Sequence, residues 1–212
     1  MGYAKTDLTL FAGGGLGFTS LKTFFTDDGG SIKDNKDRLK SDIAFPFSLG
    51  VQAGFEVARD INILLGFAYT NQPLTLKLKE RGGAPFDGFK TLQSFFDISA
   101  GARFSFNRIF AGAGFIYGIH LKPDESLIYT LDGEDLYPLK MPCDAFKNNF
   151  AFYLEGGYQI PLTQEMRLDL GLKANFSLKN TFEFVENNGI DYFNIKQSMF
   201  SFLIILGFTY SL

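Results

Sequence analysis

The sequence contains no tryptophan, a single cysteine and a single histidine. Because Cys143 has no second cysteine to pair with, an internal disulfide framework and a cysteine-ligated metal site are excluded. No stretch approaches the roughly 20 consecutive apolar residues that a membrane-spanning helix requires. The net charge of −3 and the lack of a basic stretch argue against a nucleic-acid partner, since a phosphate backbone is bound by clustered lysine and arginine.

The amino-terminal residues lack the charged start and apolar core of a signal peptide. We therefore expect that a targeting segment has been removed from the chain. The composition is rich in phenylalanine, with 26 residues, and in glycine, with 23. This combination favours strands around a narrow closed space, because aromatic residues prefer strands and glycine destabilises helix interiors.

Apolar residues alternate along the chain, most clearly at its carboxyl end. The alternating apolar residues there are Phe200, Phe202, Ile204, Leu206, Phe208, Tyr210 and Leu212. The residues between them become small and polar toward the end. A period of two predicts a strand with one apolar face, which needs a partner on each edge and an apolar medium on that face.

Eight alternating runs divide the chain. They cover residues 5–25, 44–57, 61–69, 92–105, 109–122, 149–160, 166–179 and 198–212. Pro73 lies just beyond the third run and interrupts its ladder, and we predict a bulge there, near the rim of the sheet. Beyond Pro73 the apolar residues shift from odd to even positions. The sequence therefore does not assign Leu74, Leu76 and Leu78 to one face of the strand.

Short turns follow the second, fourth and sixth runs, whereas long polar connections follow the others. The long connections are residues 26–42, 80–88, 123–145 and 180–191. Short and long connections alternate in this way in an up-and-down barrel that crosses a membrane, and both termini then lie on the turn side. The sequence therefore predicts a single domain, residues 1–212, that forms an all-β, transmembrane, eight-stranded antiparallel up-and-down β-barrel, closed by pairing of the last strand with residues 5–21.

The less apolar face of the runs decides between a soluble barrel and a membrane barrel. It consists mainly of Gly, Ser, Thr, Ala and Asn, with scattered charges. A solvated exterior would carry many more Lys and Glu. We therefore expect the small and polar face to line the lumen and the Phe, Leu and Ile face to contact lipid.

The glycine-rich first run, LTLFAGGGLGF at 8–18, and the terminal strand resemble the small outer-membrane β-barrels of the OmpA transmembrane domain, OmpX and opacity-protein type. The resemblance implies a multi-pass barrel in the outer membrane, with extracellular loops and periplasmic turns. The chain end also resembles the signal read by the barrel assembly machinery, with Gly207, Tyr210 and Leu212 at its glycine and hydrophobic positions. It departs from that signal at Leu212, where an aromatic residue is usual, and at Ile205, where a polar residue is usual.

Charged residues on the inward face are the candidate site. They are Asp97, Glu155, Lys173 and His120, together with Arg103, Arg167, Asp169, Glu56 and Asp7 nearer the turn-side rim. Buried charges require partners. We therefore expect a salt-bridge network that plugs the lumen, and the alternative is a gate that leaks ions when a pair exchanges.

Catalysis would have to use His120, the one imidazole available. The residues after it, Leu121 and Lys122, do not match the His-x-Ser spacing of lipid A deacylase barrels, and the Asp-x-His pair of omptin proteases is also missing. The acidic segment DGEDL at 132–136 lacks the carboxylate spacing of an EF-hand loop. We therefore expect no catalytic site, no metal site and no cofactor.

These observations predict a non-enzymatic outer-membrane protein whose loops interact with host or envelope components. One alternative is a narrow channel for ions or small solutes, apolar solutes leaving through a lateral opening near Pro73. A lipid-modifying barrel enzyme is a weaker alternative. The expected partners are the outer-membrane bilayer, the barrel assembly machinery and a loop ligand, with no nucleic acid, and we expect a monomer.

Overall fold

A computed structural model describes residues 5–26, 32–34, 39–41, 43–78, 86–87, 89–121, 127–132, 135–140, 147–187 and 192–212. Side chains are described for residues 5–20, 43–73, 92–121, 147–181 and 196–212. No helix in these ranges is long and apolar enough to cross a membrane.

The described secondary structure is entirely β. The strands are β1 (Thr6–Thr26), β2 (Ile32–Asp34), β3 (Leu39–Ser41), β4 (Phe47–Ala58), β5 (Ile61–Leu78), β6 (Phe86–Asp87), β7 (Phe89–Phe106), β8 (Ile109–His120), β9 (Leu127–Asp132), β10 (Asp135–Lys140), β11 (Asn149–Pro161), β12 (Met166–Ser177), β13 (Phe182–Asn187) and β14 (Tyr192–Ser211). Eight of them, β1, β4, β5, β7, β8, β11, β12 and β14, pair antiparallel in that order, and β14 returns to pair with β1. The predicted eight-stranded barrel and its closure by the terminal strand are confirmed.

The register fixes the shape of the barrel. A path that starts at Phe18 and passes from each residue to its partner on the next strand goes once around the barrel. It returns to β1 at Leu8, ten residues from its start. With about 3.3 Å per residue and about 4.8 Å between strands, this stagger tilts the strands by about 40°. An eight-stranded barrel of this kind has a lumen just wide enough for side chains to fill.

The barrel is apolar outside and polar inside. On β14, Ile204 is 61% exposed, whereas Thr209 is fully buried. The outward rows of the other barrel strands are likewise exposed leucine, isoleucine and phenylalanine, and the buried rows include Gln, Ser, Thr and charged residues. The predicted assignment of the polar face to the lumen is therefore confirmed.

The tight turns use residues that tolerate a left-handed backbone. Asp60, between β4 and β5, has a φ of 67°, and Asn107, between β7 and β8, has a φ of 56°. Aspartate and asparagine adopt this conformation more readily than other residues with a side chain. The described ends of the chain lie together, since the Leu212 N–H donates to the Thr6 carbonyl at 2.8 Å. They lie on the turn side, since the Glu56 N–H near the β4–β5 turn donates to the Lys5 carbonyl at 3.0 Å.

The ladder is interrupted at Pro73 as predicted, on one flank of β5. Between the Phe47–Asn71 pair and the Ser41–Leu76 pair the register shifts by one residue. On the other flank, the β5–β7 register runs through the Pro73–Leu92 pair without a shift. A further irregularity of the β4–β5 ladder lies between Glu56 and Ala58. In the described chain, the pairing of β5 with β4 ends at Asn71 and its pairing with β3 resumes at Leu76. A proline is tolerated on such an unpaired flank because no ladder hydrogen bond is lost there. The side chains of Leu74, Leu76 and Leu78 lie outside the described residues.

Part of the sequence predicted as irregular loop forms strands. β2 and β13 extend the ladders of β1 and β14, β3 pairs with β5, and β6, β9 and β10 form a separate three-stranded sheet. These short strands have no clear alternation of their own. β2, β3 and β13 form because the longer barrel strands offer free edges to pair with.

Candidate functional site

Arg103 is the centre of a charge cluster in the turn-side half of the lumen. Its Nε lies 2.7 Å from Glu155 Oε1, and its Nη1 lies 3.1 Å from Asp169 Oδ2. Arg167 extends the cluster, with Nη2 2.7 Å from Asp7 Oδ2 and Nε 3.3 Å from Asp169 Oδ1. Asp169 therefore links the two arginines, and five of the predicted site residues form one continuous network.

A glycine allows Arg103 to reach Glu155. The two residues belong to strands that are not neighbours, and each stands in register with Gly112 of β8, which lies between them. A Cβ atom at Gly112 would lie 2.9 Å from Glu155 Oε1. The ion pair therefore occupies the space that a side chain at this position would need.

Glycines on neighbouring strands also make room for Tyr153, whose side chain is fully buried. Tyr153 is in register with Gly114, which is in register with Gly101. A Cβ at Gly114 would lie 2.6 Å from the Tyr153 ring. Inward glycines thus provide the room in which the large luminal side chains lie across neighbouring strands.

Lys173 lies beside the cluster and directly opposite Glu155 in the β11–β12 register. Its Nζ is 4.2 Å from the centroid of the Tyr153 ring and 5.9 Å from that of Phe11, which are cation–π positions. Among the described residues, no carboxylate lies within salt-bridge distance of this ammonium group. Two arginines against three acids leave one negative charge in the cluster, and Lys173 offsets it.

Hydroxyl groups on the closing strands complete the cluster. Ser211 Oγ donates to Asp7 Oδ1 at 2.6 Å, and Thr209 Oγ1 donates to Asp169 Oδ2 at 3.3 Å. Thr9 and Thr209 share a hydrogen bond of 2.8 Å across the β1–β14 seam. The network therefore connects the first, middle and last strands of the barrel.

The loop-side half of the lumen is polar but less charged. Asp97 accepts a hydrogen bond of 2.6 Å from Thr70 Oγ1, and Thr70 lies 3.1 Å from Ser48. The His120 ring packs edge-on against Phe95 at 5.4 Å, and the His120 backbone N–H donates to Asn148. Buried Gln72, Gln93 and Gln197 lie in this half as well.

The structure thus separates the predicted site residues into groups. Asp97 and His120 are at the loop-side end, away from the arginine cluster, and Lys173 lies between the two ends. Glu56 is at the turn-side rim, where its backbone N–H donates to the Lys5 carbonyl. The described residues show no ion pair for its side chain. Sequence reasoning missed Tyr153 and Gly112, because their importance depends on which residues stand opposite them.

The lumen of the described barrel is nearly filled. Three cavities in it measure about 30 Å³ beside Arg103, about 20 Å³ beside Asn149 and about 20 Å³ beside Ala68. A cavity of this size holds about one water molecule. Within the described ranges, no group of three or more His, Cys, Asp or Glu side chains is placed to hold a metal ion.

No protein-family model and no curated protein matches the sequence. Among solved structures, the chain is similar to the outer membrane protein OprG from Pseudomonas aeruginosa, with a TM-score of 0.52 and 13% identity over 100% of this chain and 98% of that chain. By fold, the chain is an outer-membrane β-barrel.

Further similar structures are the Neisserial surface protein A and the outer membrane protease OmpT from Escherichia coli. The first has a TM-score of 0.43 and 14% identity, covering 96% of each chain. The second has a TM-score of 0.47 and 10% identity, covering 98% of this chain and 97% of that one. At these identities the likeness concerns the fold alone. The exposed apolar rows on the outside of the barrel agree with a multi-pass location in the outer membrane.

Proposed function

We propose that this barrel is a non-enzymatic anchor that presents extracellular loops for contact with host or envelope components. The observation that carries the proposal is the filled lumen. Its charge cluster joins strands across the interior, and the cavities beside it have room for single water molecules. A filled interior suits a scaffold better than a transport path.

The end of the barrel that carries the long connections between strands supports the same proposal. The outward apolar row of β1 ends at Phe18, yet the strand continues for eight more residues to Thr26. At about 3.3 Å per residue and with a tilt of about 40°, this extension rises about 20 Å beyond the apolar belt. The β6–β9–β10 sheet lies among the long connections, so ordered backbone is presented outside the membrane.

We propose no catalytic role for His120. Its ring packs against Phe95, and the loop-side acid Asp97 is hydrogen-bonded to Thr70. The arginine cluster, which holds the remaining luminal acids, lies in the opposite half of the barrel. The described luminal acids are thus engaged with Thr70, Arg103 and Arg167, and this engagement supports the non-enzymatic proposal.

The experiment compares bacteria that display the full chain with bacteria that display a variant in which a Gly-Ser linker replaces residues 127–140. Adhesion to cultured epithelial cells is measured, and heat-dependent gel mobility verifies that each barrel is folded. We expect the full chain to increase adhesion and the truncated barrel to lose that gain. A matched luminal variant, Lys173→Met, should keep it. Equal adhesion by the full and truncated barrels would contradict the proposal.

A gated ion channel is the second candidate, and the position of Glu155 favours it. Glu155 pairs with Arg103 at 2.7 Å and stands directly opposite Lys173, so a second cation lies on a neighbouring strand and could replace the first as its partner. Exchange of the first partner for the second would open the lumen beside Arg103. Planar-bilayer recordings test this: conductance that changes in Lys173→Met supports the channel, whereas silence of both proteins rejects it.

A further inference from the structure

The carboxylate of Asp97 is held through one oxygen, while its other oxygen has no partner. Oδ2 accepts a hydrogen bond of 2.6 Å from Thr70 Oγ1, and Thr70 lies 3.1 Å from Ser48. Oδ1 is buried, and no described residue forms a hydrogen bond with it. A Cβ at Gly118 would lie 2.5 Å from this oxygen, so a glycine of β8 leaves the space in which it lies. The carboxylate is therefore fixed in orientation, with its free oxygen inside the lumen.

A second unpartnered oxygen borders the same space. Asn175 Nδ2 donates to Ser201 Oγ at 3.2 Å, whereas Asn175 Oδ1 is buried without a hydrogen-bond partner among the described residues. Asp97 and Asn175 both line the cavity beside Asn149 and the cavity beside Ala68. Each of these cavities holds about one water molecule. The two free oxygens, which come from β7 and β12, therefore adjoin space for one small guest.

The lining of the cavity beside Asn149 is rich in oxygen. Oxygen-bearing side chains that line it are Thr70, Gln72, Asp97, Asn175, Ser177 and Ser201. Gln72 Nε2 is also buried without a described partner, so a half-turn of its amide presents Oε1 to the cavity at no cost in hydrogen bonds. Hard metal cations bind carboxylate, amide and hydroxyl oxygens. The chemistry of the lining therefore suits such a cation.

The charge of Asp97 selects a cation over a water molecule. The turn-side cluster and Lys173 together carry three acids against three cations, so they are balanced. The charge of Asp97 is then left over inside the described lumen. A buried charge without a counter-charge is costly. Water would satisfy the two free oxygens but would bring no charge, whereas a monovalent cation supplies one positive charge and accepts both oxygens as ligands.

We propose that the loop-side half of the lumen binds one monovalent metal cation, Na⁺ or K⁺, through Asp97 Oδ1 and Asn175 Oδ1. The cation links β7 to β12, as the Arg103 cluster links strands in the turn-side half. The site lies inside the barrel and is independent of the loop-mediated contacts proposed above. Sequence reasoning could not find it, because its two free oxygens are far apart in the chain.

The test is equilibrium unfolding by urea in phosphatidylcholine vesicles, with Na⁺ exchanged for choline at constant pH and ionic strength. Choline is too large for a cavity that holds about one water molecule. Because unfolding opens the site, the ion does not have to cross the closed lumen. Once Na⁺ exceeds its dissociation constant, each tenfold increase should raise the folded-to-unfolded ratio about tenfold. The series is repeated with K⁺.

Three variants locate the effect. Asp97→Asn keeps the shape of the side chain and removes its charge, so the folded-to-unfolded ratio should no longer depend on Na⁺ or K⁺. Asp7→Asn removes an acid of the turn-side cluster instead and should preserve the dependence. Asn175→Leu removes the second oxygen and should shift the rise to higher cation concentration, and it serves as the site variant if Asp97→Asn does not fold.

A ratio that depends on neither ion in the unsubstituted chain would overturn the proposal, since an ordered water molecule or a proton on Asp97 would then satisfy the site. A dependence that persists in Asp97→Asn, or an unchanged rise in Asn175→Leu, would also overturn it. Loss of the dependence in Asp7→Asn would do the same, because the ions would then respond to the total luminal charge and not to this site.

Discussion

Substitution of Gly112 by alanine should break the central ion pair without removing any of its charges. The new Cβ would lie 2.9 Å from Glu155 Oε1 and 3.1 Å from Glu155 Cγ. It would also lie 2.8 Å from the backbone oxygen of Ala102, which cannot rotate away. Glu155 must therefore move, and its 2.7 Å contact with Arg103 is lost or lengthened.

The expected cost combines two effects. Overpacking a well-filled interior costs about 1–3 kcal/mol, and complete loss of a partner from a buried ion pair costs about 3–5 kcal/mol. Arg103 keeps Asp169 at 3.1 Å, so the second effect is partial. We expect Gly112→Ala to reduce the free energy of unfolding by about 2–4 kcal/mol.

The assay is urea unfolding of the barrel in lipid vesicles, followed by tyrosine fluorescence and by gel mobility. Gly156→Ala is the matched control, since a Cβ there meets its nearest neighbour, the Phe110 backbone oxygen, at an ordinary 3.5 Å. In a Glu155→Ala background, Gly112→Ala should reduce the free energy of unfolding by clearly less, because the Glu155 side-chain atoms that the new Cβ would meet are absent. Equal destabilisation by Gly112→Ala and Gly156→Ala would refute the reasoning.

Three further variants test the structure in the same assay. Asp169→Asn should destabilise the barrel by about 3 kcal/mol, because it removes the buried charge that both arginines share; a neutral effect would contradict the cluster. Tyr210→Phe loses one exposed hydrogen bond to Glu165 and should leave the unfolding midpoint unchanged, so a large shift would show that this contact is structural. Pro73→Ala should change stability by less than about 0.5 kcal/mol, and a loss of the β5–β7 pairing in amide exchange would disagree with the continuous register.

Local pattern was sufficient to predict the barrel. The alternation that ends at Leu212 is a property of neighbouring residues, and a period of two identifies a strand wherever it is sustained. The turn residues Asp60 and Asn107 are similarly local signals. Their spacing predicted eight strands, the turn side and the polar lumen without any knowledge of contacts.

The candidate site was predicted as a set of residues and not as an arrangement. Inward position alone identified Arg103, Glu155, Asp169 and Arg167, because charges on the small and polar face must enter the lumen. That Arg103 meets Glu155 over Gly112 depends on the register of three strands. A shift of the register by one residue would turn one of these side chains to the lipid face.

The sequence by itself determined the strands, their number and which face is apolar, because these follow from alternation over short distances. Only the tertiary structure decided the pairing of charges, the continuous pairing of β5 with β7 through Pro73 and the position of Gly112 between Arg103 and Glu155. Each of these depends on residues far apart in the chain that the register places side by side. The terminal strand shows both contributions: its apolar row is readable from the sequence, and the residues of β1 and β12 that pair with it are not.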